Sequence, residues 1–536
     1  MRTALTLACL LLALPVVAVL GSWAQFDASA AATLAHQART VMADYALQSL
    51  LLAAGVAVGV ALVGVGAAVV VSLFRFPGRD IFEWAMLLPL AMPAYVLAYA
   101  YTDALQFAGP VQTALRQALG VQGPLWPDVR SLPGAIVLFV LCLYPYVYLL
   151  TRSALTERAV QMMEAARLLG AGLRRRLFEV ALPLARPAVM AGVALALMET
   201  LADYGVGAYF GLTTFTTGIY RAWLSMNDAV AAAQLASVLL AVIAVLLALE
   251  RRAQARLRFA TSRAGPQHAL DAQPVQLHGV LAAVAWLLCA LPVALGFVLP
   301  AGWLAAMMWR EALHGEFGLP WARFAGWAGS SLLLAAVAAL AATAVSLALA
   351  FALRRREGPS DRVLAAGARV LSLGYAVPGA VVAIGILLPV GWLQQRFPGS
   401  GVGALFTGTA VGLLYAYAVR FSAVALQTVE AGYARIPVSV DETARMLGAG
   451  RARAFLTLHL PLLRRSALAA ALLVFVDVMK ELPATLVLRP FGTDTLAVVA
   501  YNLARDERLP EAALPSLAIV AVGLVPVLLL SRAMRR

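Results

Sequence analysis

EAARLLGAGLRRRLFEVALP, residues 164–183, returns as ETARMLGAGRARAFLTLHLP at 442–461, and every position of the shared pattern E-[AT]-A-x3-G-x9-[VL]-x-L-P is displaced by the same 278 residues. Two copies in one register imply a module that was duplicated and fused. Each copy is a polar, arginine-rich insert between long apolar runs. Alanine favours helix around Glu164, Ala165 and Ala166, and again around Glu442, Thr443 and Ala444. Gly170 and Gly448 stand where one helix turns into the next, because glycine enters the left-handed region without a Cβ clash. Leu169, Leu173, Leu177 and Val180 recur every three or four residues, an apolar face suited to packing on a partner or on the bundle. Leu182-Pro183 and Leu460-Pro461 mark where the next apolar run begins. A purely local reading makes Ser439 and Glu442 an ordinary capping box, but Gln161 in the first copy is a poor cap.

Working outward, the chain is 62% hydrophobic and only 13% charged, with mean hydropathy +0.85, which excludes a soluble globular protein. At roughly twenty residues per crossing, about twelve spans fit: 4–21, 49–74, 84–102, 131–150, 187–206, 230–249, 279–300, 330–353, 364–392, 403–425, 466–487 and 512–531. Runs of this length lack the alternation of barrel strands, and backbone groups in hydrocarbon must pair within their own segment, so the spans are helices. The expected fold is therefore all-α and integral to the membrane.

Arginine orients these spans. With both termini in the cytoplasm, most of the 41 Lys plus Arg fall on that side, in Arg152 to Arg186, Arg251 to Arg263, Arg354 to Arg369, Arg420 to Arg465 and Arg532 to Arg536. The net charge of +14 is thus a topology signal directed at the lipid bilayer, and it gives no reason to expect a nucleic-acid partner. An alternative reading of Thr3 to Leu20 is a cleaved secretory signal, with Arg2 before it and small residues at Ala28 to Ala32 after it. Cys9, Cys142 and Cys289 all fall in apolar runs and imply no disulfide framework.

Residues 250–278, ERRAQARLRFATSRAGPQHALDAQPVQLH, are polar and rich in helix breakers. They read as a cytoplasmic linker between a first six-span module, 1–249, and a second, 279–536. An even number of spans makes the modules parallel repeats and puts both arginine-rich inserts on the same face. The repeat continues past the inserts, since AWLSMND at 222–228 and AYNLARD at 500–506 keep the same offset. A central linker and two parallel halves also fit a secondary transporter, but such a machine would not need duplicated inserts.

No motor lies in the sequence. A phosphate-binding loop of the G-x4-G-K-[ST] type needs a lysine, and the sole lysine, Lys480, sits in DVMKELP. There is no G-x-S-x-G elbow or H-E-x-x-H motif, the five histidines lack metal-ligand spacing, and neither catalytic nor metal-binding residues are assigned.

Glu199 and Asp203 lie four apart, as do Asp477 and Glu481, and the two pairs are related by the 278-residue offset. On continuous helices each pair would share one face. A charge at the bilayer centre costs about 2.5–3.5 kcal/mol, so these acids are expected to face the interior or a watery cavity, with Lys480 as a neutralising neighbour. One reading is a translocation path lined by acids and suited to a cation. The other is that they pair with Lys480 or backbone groups and fix helix packing. Tyr204, Tyr209 and Tyr220 add phenolic oxygens nearby, although interfacial aromatics are the commoner use.

Taken together, the two inserts, the segment ETLADYGVGAYFGLTTFTTGIYRAW at 199–223 and FVDVMKELPATLVLRPFGTDTLAVVAYNLARDERLPEAA at 475–513 resemble a fused two-module permease of the ferric-iron ABC importer family. That resemblance implies a type I, MetI-like permease fold in the bacterial inner membrane. It implies two copies of a cytoplasmic ABC ATPase at the inserts, holding ATP and Mg, and a periplasmic solute-binding protein opposite. The inserts would be the ATPase-coupling loops, carried by Glu164, Ala165, Ala166, Gly170, Leu182 and Pro183 and by Glu442, Thr443, Ala444, Gly448, Leu460 and Pro461. Thr443 departs from the family's E-A-A, as a small residue. Similar permeases carry thiamine, phosphonates, polyamines or sulfate, so the cargo is the least determined part of the resemblance.

Overall fold

A computed structural model of the chain describes residues 2–25, 28–156, 160–261, 275–315, 318–354 and 359–534. Among these residues the protein is mostly helical, and the strand pairing among them is a short parallel one of Phe74-Arg75 with Val275-Gln276. Among the described residues, eight helices are long and apolar enough to cross a membrane, and ten if each of two sharply bent pairs counts as one span.

The difference from twelve has physical causes. The expected span 84–102 is bent by 90° between Arg79–Ala91 and Ala94–Leu119, and that at 403–425 by 70° between Val402–Gly408 and Val411–Tyr433. The run 364–392 is divided by a turn into Pro359–Leu371 and Gly379–Arg396, with Pro378 at the break. The run 466–487 is a helix, Leu460–Met479, carrying Arg464, Arg465 and Asp477, followed by the separate short helix Pro483–Leu488. Of the polar stretch 250–278, residues 250–261 continue the helix Ala229–Thr261 and Val275-Gln276 form the short strand, while 262–274 lie outside the described residues.

The chain forms two compact units that interleave the sequence halves. One comprises Met1–His36, Ile219–Leu240 and Pro320–Val499; the other comprises Gln37–Gly218, Ala241–Leu319 and Ala500–Arg536. Each is built on three packed helices.

In the second of these units the three are Met42–Leu73, Leu132–Ala154 and Leu182–Ala202. Gly55, Gly59 and Gly64 bring the first against Ile136, Val140 and Val147 of the second, so close that a Cβ on Gly59 would stand 2.3 Å from Val140. Small residues take this place because apolar lipid gives helices no hydrophobic reason to associate, and close van der Waals contact must supply it. The helix Leu299–His314 joins the same unit through Trp303, whose indole N–H donates to Asp103 at 2.8 Å.

In the other unit the three are Trp321–Arg354, Val411–Tyr433 and Leu460–Met479. The first helix of the chain, Arg2–Gly21, packs there against Pro359–Leu371 and Gly379–Arg396. Gly385 lies directly under Pro15, where a Cβ would come within 2.1 Å of the Pro15 carbonyl oxygen, and Tyr415 donates its hydroxyl proton to the Leu11 carbonyl.

Candidate functional site

The two copies of the repeated insert fold alike. In the first, helix Val160–Leu168 ends at Gly170 with φ +82°, and in the second, helix Val438–Met446 ends at Gly448 with φ +74°. The same two bonds close each turn. Gly170 N–H donates to Arg167 O and Ala171 N–H to Ala166 O, both at 2.9 Å, while Gly448 N–H donates to Arg445 O and Ala449 N–H to Ala444 O, both at 3.0 Å. This is the Schellman closure of a helix C-terminus, which requires a left-handed residue at that one position.

After the turn, each chain re-enters a helix that widens to a π-helical stretch, Arg176–Ala181 or Phe455–His459, just before Leu182-Pro183 or Leu460-Pro461. Those prolines therefore do not start an isolated span; the wider turn accommodates the missing N–H inside a continuous helix. The capping-box reading of Ser439 and Glu442 does not hold. The helix begins at Val438 with Pro437 as its cap residue and no side-chain cap bond. Ser439 instead accepts from the Thr443 hydroxyl through its carbonyl, at 2.9 Å. Glu164 pairs loosely with Arg167 at 3.6 Å, and Glu442 is exposed.

Each turn presents apolar side chains outward at matched positions. Leu168 and Leu169 are 87% and 88% exposed, and their counterparts Met446 and Leu447 are 88% and 82% exposed. Phe178 and Leu456, also 278 apart, are 60% and 59% exposed. Leu169 thus belongs to an outward face, apart from Leu173, Leu177 and Val180, which are half-buried. Large apolar residues left bare at the tip of a polar, cationic segment are the usual mark of a protein contact.

The copies differ in how they are held. Asp441 is buried against Arg354 at 2.5 Å and His459 at 2.9 Å, and Arg354 also donates to the carbonyls of Tyr433, Ile436 and Pro437. At the matched positions the first copy has Met163 and Ala181, both buried and apolar. Nothing in the repeated motif signals this difference, because Asp441 lies just outside it and Arg354 belongs to a distant helix.

The intramembrane acids do not sit as pairs on one helical face. Helix Leu182–Ala202 ends before Asp203 and helix Leu460–Met479 ends before Glu481, so each second acid lies in a break and caps the short helix that follows. Asp203 accepts from Val206 N–H at 2.8 Å at the start of Gly205–Tyr209. Glu481 accepts from Ala484 N–H at 3.0 Å and Thr485 N–H at 3.1 Å at the start of Pro483–Leu488. Glu481 is also neutralised by Arg420 at 2.8 Å, a residue the sequence reading missed although an arginine inside the apolar run 411–426 was a visible signal. Lys480 pairs with Asp477 at 2.9 Å, as expected, and Glu199 is half-buried.

Of the three tyrosines near the first break, Tyr209 is buried and its hydroxyl accepts from Arg130 at 2.9 Å. Arg130 also forms a two-pronged pair with Glu507 at 2.8 and 3.0 Å, which holds the guanidinium above its ordinary range. Tyr204 meets Tyr501, with hydroxyl oxygens 3.5 Å apart. Tyr220 belongs elsewhere and donates to the Pro483 carbonyl. Among the described residues no three His, Cys, Asp or Glu side chains converge to hold a metal.

Compared with known proteins, residues 60–259 and 343–536 each match the family model described as "Binding-protein-dependent transport system inner membrane component". The chain is 24% identical over 501 residues to an Fe(3+)-transport system permease protein of Haemophilus influenzae, covering 92% of this chain and 90% of that one. It is 29% identical over 135 residues to a molybdenum transport system permease protein of Escherichia coli K12, covering 25% and 57%. A protein of Salmonella paratyphi A, described provisionally as a 2-aminoethylphosphonate transport system permease protein, is 26% identical over 201 residues, covering 37% and 70%.

Proposed function

We propose, from the premise that this chain belongs to the family of binding-protein-dependent transport system inner membrane components, that it is the membrane subunit of an ATP-driven importer for ferric iron. As a multi-pass component of an inner-membrane transport system, it is a transporter subunit rather than an enzyme. Its motor is a separate polypeptide, two copies of an ABC ATPase that carry ATP and Mg, one engaging each repeated segment from the cytoplasm. A periplasmic binding protein delivers the cargo from the opposite side, and both termini are cytoplasmic.

The observation that carries this reading is the duplicated turn, identical in backbone and in its bare apolar tip, at 168–170 and 446–448. A force applied to the turn passes through a continuous helix into Leu182–Ala202 or Leu460–Met479, each about 30 Å long, and so reaches the breaks at Asp203 and Glu481. Covering one leucine side chain at an interface contributes about 1.5–3 kcal/mol. Leu169→Asp with Leu447→Asp is therefore expected to abolish co-purification of the ATPase while membrane insertion is unchanged. Undiminished recovery of the ATPase would place its docking surface elsewhere.

Ferric iron is supported by the relative that covers nearly all of both chains, against partial matches to the molybdenum and aminoethylphosphonate permeases. The test is uptake into proteoliposomes holding the permease, its ATPase and its binding protein. ATP-dependent accumulation of ferric iron, with none of molybdate or aminoethylphosphonate, is expected. Uptake driven by an ion gradient without ATP would overturn the machine, and uptake of an oxyanion alone would overturn the cargo.

A further inference from the structure

Resting on the ferric-iron reading, we infer that Tyr99, Tyr204, Tyr501 and Asp203 form an oxygen-donor station that holds the trivalent cation transiently during transit. All four belong to one compact unit. Tyr99 lies on helix Ala94–Leu105, with its ring centroid 4.9 Å from that of Tyr209 and 5.8 Å from that of Tyr95. Tyr204 and Tyr501 meet at 5.9 Å between centroids, and Asp203, beside Tyr204, bonds the start of the short helix Gly205–Tyr209, whose Tyr209 ring packs on that of Tyr99. Phenolic and carboxylate oxygens from three separate stretches of chain thus gather at the break that follows Ala202.

The hydroxyl of Tyr99 is the informative group. The side chain is fully buried, and its oxygen has no hydrogen-bond partner. A buried, unsatisfied hydroxyl costs about 1–3 kcal/mol, and phenylalanine would fill the same space without that cost. Packing therefore accounts for the ring but not for the oxygen. Hard oxygen donors suit a hard, highly charged cation, whereas an oxyanion approaching Asp203 would meet like charge. On ligation each phenol gives up its proton to water, the O–H bond breaking as the oxygen–iron bond forms, while the Asp203 carboxylate ligates as the anion. No electron moves, and the cargo stays ferric. The Arg130–Glu507 pair bonded to Tyr209 lies beside the helix Leu132–Ala154, at its end remote from the repeated segment, where cargo from the binding protein would enter.

The test uses the purified full-length permease with ferric ion supplied as ferric citrate. Ferric phenolate absorbs in the visible by charge transfer, so the wild type is expected to develop colour that Y99F combined with Y501F, which leaves one phenol of three, strongly reduces, while Y144F, a buried tyrosine outside the cluster, retains it. In proteoliposomes the same double variant is expected to slow ferric uptake about tenfold with ATP hydrolysis unchanged. Y99F alone should melt at or above the wild-type temperature; a lower melting point would mean that the hydroxyl is structural and would overturn the station. Uptake of iron by the wild type without colour, or normal uptake by Y99F/Y501F, would overturn it while leaving the ferric-iron reading intact. Molybdate binding that is lost in Y99F would replace the cation with an oxyanion. If the wild type with ATPase and binding protein moves no iron at all, the cargo reading fails and the station falls with it.

Discussion

Replacing Gly170 and Gly448 together by valine is expected to reduce ATP-driven uptake to background while the protein still inserts and purifies as a single species. Both glycines have positive φ, +82° and +74°, and neither has another atom within 4 Å of where a Cβ would lie. The effect is therefore one of backbone strain and not of collision. A left-handed conformation costs an ordinary L-residue about 1–2 kcal/mol, and more for a β-branched side chain. The cheapest relief is to unwind the Schellman turn, which moves Leu168-Leu169 and Met446-Leu447 from the positions in which they are presented. Because the strain lies in exposed segments, global stability should fall little. Asparagine, which tolerates positive φ, should retain more uptake than valine at both sites. Equal uptake by valine and wild type would mean that the turn geometry is not used in coupling.

Removing Arg420 is expected to have the largest effect on stability. Glu481 is almost wholly buried and receives Arg420 at 2.8 Å, together with the Ala484 and Thr485 backbone N–H groups and the Thr485 hydroxyl. Breaking a buried ion pair from one side costs about 3–5 kcal/mol, because the remaining charge is left uncompensated. R420M should accordingly lower the melting temperature of the detergent-solubilised protein by many degrees, and E481Q added to R420M should recover much of the loss. The position matching Arg420 in the first module is Cys142, so D203N is expected to shift the melting temperature far less. A melting temperature unmoved by R420M would show that Glu481 is held by its helix-capping bonds alone.

The repeated insert was the most legible part of the chain. Its glycine predicts a left-handed helix end from local chemistry alone, and both copies adopt one. The helical membrane character followed from composition just as directly. Breaks within the spans were much less visible. Hydropathy averages over some twenty residues and passes through the bends near Met92 and Thr409 and through the turn before Gly379 without a signal. The same averaging made Glu199 and Asp203 look like neighbours on one helix, although the helix ends at Ala202. Asp441 adjoins the second insert and His459 lies within it, but Arg354 comes from a helix 87 residues before Asp441, and no local pattern announces their meeting. Nothing in the sequence announced that Tyr204 and Tyr501 meet.

The interleaving of the compact units also constrains how the protein is made. Helix Arg2–Gly21 leaves the ribosome well before the helices it packs against, Pro359–Leu371 and Gly379–Arg396, which emerge some 340 residues later. At 5–20 residues per second that interval is roughly 20–70 s. Throughout it the newborn helix waits in the bilayer with the Pro15 carbonyl still lacking the glycine that will cover it. A message truncated before residue 359 would yield a helix without its main partners, a natural target for membrane quality-control proteases. The interleaved arrangement thereby ties the survival of an early-made segment to synthesis of helices made much later.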